Sequence, residues 1–254
     1  MKMKSLIIQL IGVLSVFLFL STIVPPKKCY ITKVNDGTNW YEKYFYNKSN
    51  RLIKYLSGAD EKIIFDYDAQ GKCIKTKHFA GEDIDNYTVF EYNPGGQLIK
   101  SRYYDNVDAD TFQLANYSVY SYDAKKQINK RTDFERDDEN AKKFDESGFT
   151  NYQYDARGNI TKSITYNSDG QISQTTTNEY DDKINPIRNF RLTIFEDELI
   201  STNNLTKCVT VNGKGAKIGD ASYVYEYNAN NYPIKVSQKL LDRKATYQWD
   251  YRCN

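Results

Sequence analysis

One spacing recurs along most of this chain and limits what it can fold into. Its clearest copy is Tyr152-Gln153-Tyr154-Asp155-Ala156-Arg157-Gly158-Asn159-Ile160. Strand residues alternate faces, so Tyr152 and Tyr154 point one way and Gln153 the other. Asp155 can accept a hydrogen bond from the backbone two residues on, which starts a turn. Gly158 supplies the positive φ that closes a type I turn with a G1 bulge. The spacing therefore predicts a β-hairpin with Tyr154 across from Ile160, a favourable pairing of a ring with a β-branched residue.

With the second tyrosine as zero, the spacing is found at Tyr46, Tyr67, Tyr92, Tyr122, Tyr154, Tyr166, Tyr180 and Tyr227, each followed by Asn or Asp. Four residues later come Asn50, Gly71, Gly96, Lys126, Gly158, Gly170, Ile184 and Asn231. Gly and Asn tolerate the left-handed region, so Lys126 and Ile184 break the rule. Six after the tyrosine stand Leu52, Cys73, Leu98, Ile128, Ile160 and Ile172, then Pro186 and Pro233. The residue before the tyrosine is mostly polar (Asp66, Glu91, Ser121, Gln153, Thr165, Glu179, Glu226). Repeated one-sided alternation of this kind indicates antiparallel sheet. The predicted fold is all-β, an antiparallel meander of hairpins curled into an open or closed barrel-like sheet. Its repeat tyrosines are expected on the buried face, because a curled sheet must cover one face.

These blocks resemble the tyrosine–aspartate (YD) repeats of Rhs-type proteins, whose core is Tyr-Asp-x-x-Gly-x-Leu. The later stretches, Tyr180–Pro186, Asn203–Lys207 and Tyr225–Lys235, resemble a Bacteroidetes envelope family of unknown function with a porin-like, curled β fold. The resemblance spans roughly residues 40–254. It implies a cell-envelope protein and transfers no catalytic residue.

Residues 1–28 read as an export signal or an uncleaved membrane anchor, with Lys2 and Lys4 before an apolar helix at residues 6–24 and Pro25-Pro26 after it. Cys29 invites lipidation, but Pro26-Lys27-Lys28 is not the small, apolar approach a lipobox needs. Hairpin repeats fill 29–185, and 186–254 is the C-terminal part of the same β domain. There, 186–222 reads as the least repetitive stretch, an irregular connector with a short helix or strand at Leu192–Ile200. Strands are predicted to resume at Lys207–Val211, Tyr223–Tyr227 and Tyr247–Cys253, the last closing the sheet. Export permits disulfides, and Cys208 with Cys253 is the candidate bridge. Cys73 stands in a Leu/Ile slot and reads as a buried free thiol.

Net charge is +2 from 35 basic and 33 acidic residues, which gives no reason to expect nucleic acid. A lysine recurs eight residues after the repeat tyrosine (Lys54, Lys75, Lys100, Lys130, Lys162, Lys235). It reads as a solvated strand end that discourages edge pairing, with a basic groove for acidic glycans as the alternative. The acidic connectors near 81–85, 105–110 and 133–140 lack calcium-loop spacing and read as hairpin tips.

Nothing in the chain marks a catalytic centre. The single histidine, His78, lies between Lys77 and Phe79 and reads as an exposed strand residue. Gly213-Lys214-Gly215 lacks a phosphate-loop frame, and the cysteines lack zinc spacing. No cofactor or metal is expected. Paired carboxylates of a glycan-acting enzyme form a lesser alternative with no pair to name. The reading is a non-enzymatic envelope protein that binds a glycan or an envelope protein. Rings off the repeat pattern (Trp40, Tyr41, Tyr103, Tyr104 and Trp249) are the candidates to face a ligand in a carbohydrate-binding variant of that reading.

Overall fold

The structure is a computed structural model that describes residues 27–108, 111–137, 140, 142–190, 201–241 and 243–254. The leader helix at 6–24 and the expected element at Leu192–Ile200 fall outside them. The first eight strands are β1 (Cys29–Asn35), β2 (Tyr41–Tyr46), β3 (Leu52–Ser57), β4 (Glu61–Tyr67), β5 (Cys73–Ala80), β6 (Asp83–Tyr92), β7 (Leu98–Asp108) and β8 (Thr111–Tyr122). They are followed by β9 (Ile128–Arg136), β10 (Phe144–Tyr154), β11 (Ile160–Asn167), β12 (Ile172–Ile184), β13 (Asn203–Asn212), β14 (Lys217–Tyr227), β15 (Pro233–Leu240) and β16 (Arg243–Cys253). Each strand pairs antiparallel with the next, and β16 returns to pair with β1, so the sheet is a closed barrel. The stretch 203–222 is thus mostly two regular strands, since β13 pairs with β12 as well as with β14.

The repeat explains the hairpins. Tyr154 lies opposite Ile160, and the Asp155 carboxylate accepts the backbone N–H groups of Arg157 and Asn159, both at 2.9 Å. Asn47, Asp123, Asn212 and Asn228 hold their turns in the same way. Gly158 has φ 88°, as the turn requires, and Lys126 takes φ 63° although it carries a side chain. The turn geometry therefore overrides the residue preference there. Gly213 and Gly215 belong to one of these turns, between β13 and β14.

A feature invisible in the spacing links one hairpin to the next. Tyrosine hydroxyls donate to backbone carbonyls at 2.6 to 2.8 Å: Tyr67 to Leu52, Tyr92 to Cys73, Tyr122 to Leu98, Tyr154 to Ile128, Tyr180 to Ile160, Tyr225 to Leu205 and Tyr251 to Pro233. In each case the acceptor lies two residues before the point where its strand begins pairing with the next, at Lys54, Lys75, Lys100, Lys130, Lys162, Lys207 or Lys235. The hydroxyl takes the place of a missing ladder bond, because a buried backbone carbonyl needs a partner. Phenylalanine cannot do this, which accounts for Tyr at the zero position in the Tyr67, Tyr92, Tyr122, Tyr154 and Tyr180 blocks.

Successive turns alternate between the two ends of a meander. The turns after Tyr46, Tyr67, Tyr92, Tyr122, Tyr154 and Tyr227 share one end, with these tyrosines facing inward. Tyr166 is different: its turn joins β11 to β12 at the other end. It pairs with Phe149 on the outer face, while Thr165 points inward to Thr150 at 3.1 Å. The same sequence block is therefore used with its faces reversed.

The fourth turn residue of the Tyr180 block, Ile184, cannot close a hairpin cheaply, and here the chain leaves the wall. It enters a short 3-10 helix, Pro186–Phe190, and returns at Ser201. Ile187 packs on the core of Ile31, Val34, Tyr44, Leu52, Tyr55, Ile63 and Phe65. Buried polar groups fasten the returning segment. The Ser201 hydroxyl oxygen accepts the Ile160 N–H at 3.0 Å, and Asn203 N–H donates to Asn159 Oδ1 at 2.9 Å. Asn159 Nδ2 in turn donates to Asn203 Oδ1 at 2.9 Å. Asp181 Oδ1 accepts the N–H groups of Lys183 and Asn204. These segments lie inside the barrel toward the tyrosine-turn end, where Pro186, Arg188, Ser201 and Thr202 line cavities with the turn residues.

The disulfide joins Cys29 to Cys253 across the β1–β16 seam, with Cα atoms 4.0 Å apart. Cys253 therefore bridges to Cys29 and not to Cys208, which lies in β13 opposite Ala221. This pairing uses the Cys29 sulfur that lipidation would require. Sequence separation hid the pair, since only barrel closure brings the strands together. Cys73 is a free thiol, and burial pushes its pKa up to about 12.

Candidate functional site

The inner face is rich in buried rings and aliphatics, with Thr, Ser and Asn buried among them, and the outer face mixes ion pairs with rings and exposed aliphatics such as Ile74 and Val224. Inward lie Tyr44, Tyr55, Phe65, Phe90, Tyr152 and Ile160, all buried. Outward lie ion pairs in the strands: Lys77 with Asp66 at 2.8 Å, Lys235 with Glu226 at 2.7 Å, Lys207 with Glu179 at 3.1 Å, and Arg102 with Glu91. The recurring lysines lie on this outer face over aromatic rings. Lys54 covers Phe45, Lys75 Tyr87, Lys100 Tyr117 and Lys130 Phe149, at 3.6 to 4.3 Å from the ring centroids. A closed barrel has no strand edge to protect; the partner of these four is the ring, and that of Lys235 is Glu226. Tyr87 with Tyr104, Tyr117 with Phe134, and Phe149 with Tyr166 are stacked across neighbouring strands at 4.5 to 4.6 Å.

The off-pattern rings do not form one group. Tyr41 is on the outer face beneath Lys43, and Tyr104 is in the outer stack with Tyr87. Tyr103 follows Arg102 and precedes Tyr104, so it points inward, and burial first and the neighbouring Asp105 second push its pKa up to about 12. His78 alternates with Lys77 and also points inward. It is half-buried where an exposed residue was expected, and burial holds its pKa below the usual value.

Trp40 and Trp249 do converge. Both line an interior cavity of about 220 Å³, together with Tyr223, Tyr225, Tyr247 and Glu42. Ile187 forms part of the wall toward the 3-10 helix. Trp40 meets Tyr247 edge to face at 5.5 Å. Closure of β16 on β1 makes this possible, because Trp249 pairs with Val34, six residues before Trp40.

Glu42 faces inward from β2 and was not legible as a site residue, since nothing in its spacing separates it from other strand carboxylates. Its carboxylate accepts hydrogen bonds from the Tyr44 hydroxyl and, at 2.9 Å, from the Tyr55 hydroxyl. Burial raises its pKa, against the lowering effect of those two hydroxyls. Burial also lifts the pKa of Tyr44 well above the usual phenol value. Among the described residues Glu42 makes no ion pair, and no Lys, Arg or His lines the cavity. Other polar side chains at its wall are engaged, Gln238 by no more than a 3.5 Å contact to the Tyr223 hydroxyl. Asn185 donates to the Ser201 carbonyl and accepts the Ile187 N–H, both at 3.0 Å, and Asn204 donates to Asp181 at 3.1 Å. Trp249 Nε1 is the exception, a buried donor with no acceptor. No cluster of His, Cys, Asp and Glu that could hold a metal occurs among the described residues.

No family model matches the chain, and no curated protein does either. Solved structures do. The crystal structure of a porin-like protein from Bacteroides vulgatus aligns with a TM-score of 0.58 at 16% identity, over 89% of this chain and 99% of that one. A second porin-like protein, from Bacteroides uniformis, aligns with a TM-score of 0.54 at 10% identity, over 87% and 96%. At these identities the likeness is one of fold: a closed antiparallel barrel.

Proposed function

We propose that this is a non-enzymatic protein of the bacterial envelope that acts by binding, with its barrel standing in water and its ligand taken into the Trp40–Trp249 cavity. The observation that carries this reading is the reversal of faces. A barrel that crosses a bilayer turns an apolar band outward, and each Lys or Arg on that band costs about 2–4 kcal/mol at the midplane. Here Lys77, Lys100, Arg102 and Lys235 stand outward within strands, and the interior buries rings and aliphatics together with Thr, Ser and Asn side chains. A water-filled channel also sits poorly with an interior that holds residues 185–190 and 201–204. The Cys29–Cys253 bridge fits an oxidising compartment.

The test is phase partitioning of residues 27–254 in a detergent that clouds on warming. Recovery in the aqueous phase, with a β-rich circular dichroism spectrum, supports the reading. Transfer of folded protein to the detergent phase sinks it. A carbohydrate ligand is the second reading, favoured by the meeting of two indoles in one cavity. Binding of the same protein to a glycan array, abolished by Trp249→Ala without loss of fold, is the result it requires.

A further inference from the structure

The geometry points to a small organic cation, an alkylammonium group carrying a neutral oxygen, as the ligand of the Trp40–Trp249 cavity. The inference deepens the proposed binding role and rests on it. Four observations carry it. First, the wall is built of electron-rich rings: Trp40, Trp249, Tyr223, Tyr225 and Tyr247. Ring faces attract cations, most strongly when both partners are desolvated. Second, among the described residues the one charged side chain in that wall is Glu42, held inward by two tyrosine hydroxyls and lacking a cationic partner there. An unpaired buried carboxylate is costly, and a bound cation supplies the missing counter-charge. Third, a neutral sugar needs several free hydrogen-bonding groups, and of the wall's amides Asn185 and Asn204 are already committed to the protein's own backbone and to Asp181, which leaves Gln238, with a 3.5 Å contact to the Tyr223 hydroxyl. Fourth, the buried Trp249 N–H lacks an acceptor. A hydroxyl or ether oxygen on the ligand satisfies it, whereas a carboxylate would be repelled by Glu42.

The size is suitable. An apolar cavity of about 150 Å³ holds benzene, so 220 Å³ accommodates a small branched ammonium compound. The chain has two tryptophans, Trp40 and Trp249, and both line this cavity. Tryptophan emission, excited at the red edge where tyrosine does not absorb, therefore reports on this site.

The experiment titrates folded protein with choline chloride and, in parallel, with 3,3-dimethyl-1-butanol, its uncharged isostere, while following tryptophan emission. Sodium chloride at matched ionic strength is the blank. The expected result is a saturable change with choline and binding of the isostere at least about tenfold weaker. Glu42→Gln, which keeps the side-chain size and one acceptor, should weaken choline by a similar factor and bring the choline-to-isostere affinity ratio down toward one. Equal affinity for choline and the isostere overturns the cation assignment while leaving binding in the cavity in place. Absence of any choline response from protein with a native circular dichroism spectrum overturns the cation assignment as well. The glycan array then decides the parent reading separately. Should Glu42→Gln fail to fold, the choline-to-isostere ratio on the unmodified protein still decides.

Discussion

Tyr154→Phe removes one oxygen atom, and the structure assigns that atom a defined task. The hydroxyl donates to the Ile128 carbonyl at 2.8 Å. The β9–β10 pairing ends at Lys130, two residues away, so the carbonyl has no ladder partner there. A typical internal hydrogen bond contributes about 0.5–1.5 kcal/mol net, and a buried acceptor left unsatisfied costs about 1–3 kcal/mol. The carbonyl is partly buried, which places the expected loss at about 1–2 kcal/mol. For a domain of this size each kcal/mol moves Tm by about 2–4 °C. The internal control is Tyr166→Phe. Tyr166 occupies the same slot in the sequence repeat, but it faces outward in the stack with Phe149, and its change should stay within about 0.5 kcal/mol. The assay is thermal and guanidinium unfolding of residues 27–254 followed by far-ultraviolet circular dichroism. A repeat-only account predicts equal effects; the barrel predicts a large one and a small one. Equal midpoints for the two variants, or a greater loss from Tyr166→Phe, would refute the assignment of faces and the role of the hydroxyl.

Lys126→Gly should raise stability by about 1 kcal/mol, read as a higher unfolding midpoint, because Lys126 sits at φ 63° and glycine relieves the left-handed strain. Cys253→Ser opens a loop spanning a sequence separation of 224. The chain-entropy estimate for such a loop is about 5 kcal/mol and measured losses for native bridges run about 2–5 kcal/mol, so its guanidinium midpoint should fall steeply and match that of the reduced wild type. Glu42 has a raised pKa, so between its unfolded value near 4.5 and its higher folded value the native state holds more protons than the unfolded one. Stability must then fall as pH rises through that window, and Glu42→Gln should flatten this part of the profile while leaving in place the acid limb, to which Asp155 contributes with other carboxylates of lowered pKa. Asp155 has the opposite sign. Its folded pKa is lowered, burial being outweighed by the hydrogen bonds from Asn159 and Arg157, and its contribution is lost as pH falls through that lowered value.

Local chemistry was legible and closure was not. The opposition of Tyr154 and Ile160, the side-chain clasp of Asp155 and the positive φ at Gly158 all follow from contacts within a dozen residues. The period in the sequence says that a hairpin forms, but not at which end of the barrel its turn lies. That is why Tyr166 reads like its fellows and faces the other way. The Tyr hydroxyl bonds join neighbouring hairpins, and recognising them requires knowing where each ladder stops. Glu42, Trp40 and Trp249 become one site only once β16 docks on β1, and the same docking decides that Cys253 meets Cys29. The inward excursion at 185–190 had a sequence signal, the loss of the left-handed residue at Ile184 followed by Pro186, although its destination in the interior did not.

The alternation of turns gives this barrel two rims with different freedom to change. On one rim, turns clasped by an Asn or Asp side chain recur beside tyrosines that fasten hairpin to hairpin, and substitution of a clasp residue or a fastening tyrosine there removes a bond. The opposite rim obeys no single rule: it turns through Asp36–Thr38, Gly58, Gly81 and Leu241 as well as through Asn167 and Asn212. Loops on that side can lengthen or drift without unfastening the wall. The Trp40–Glu42 side of the cavity is built at that permissive rim, so a lineage of such barrels can revise what it binds while the clasped rim keeps the shell intact.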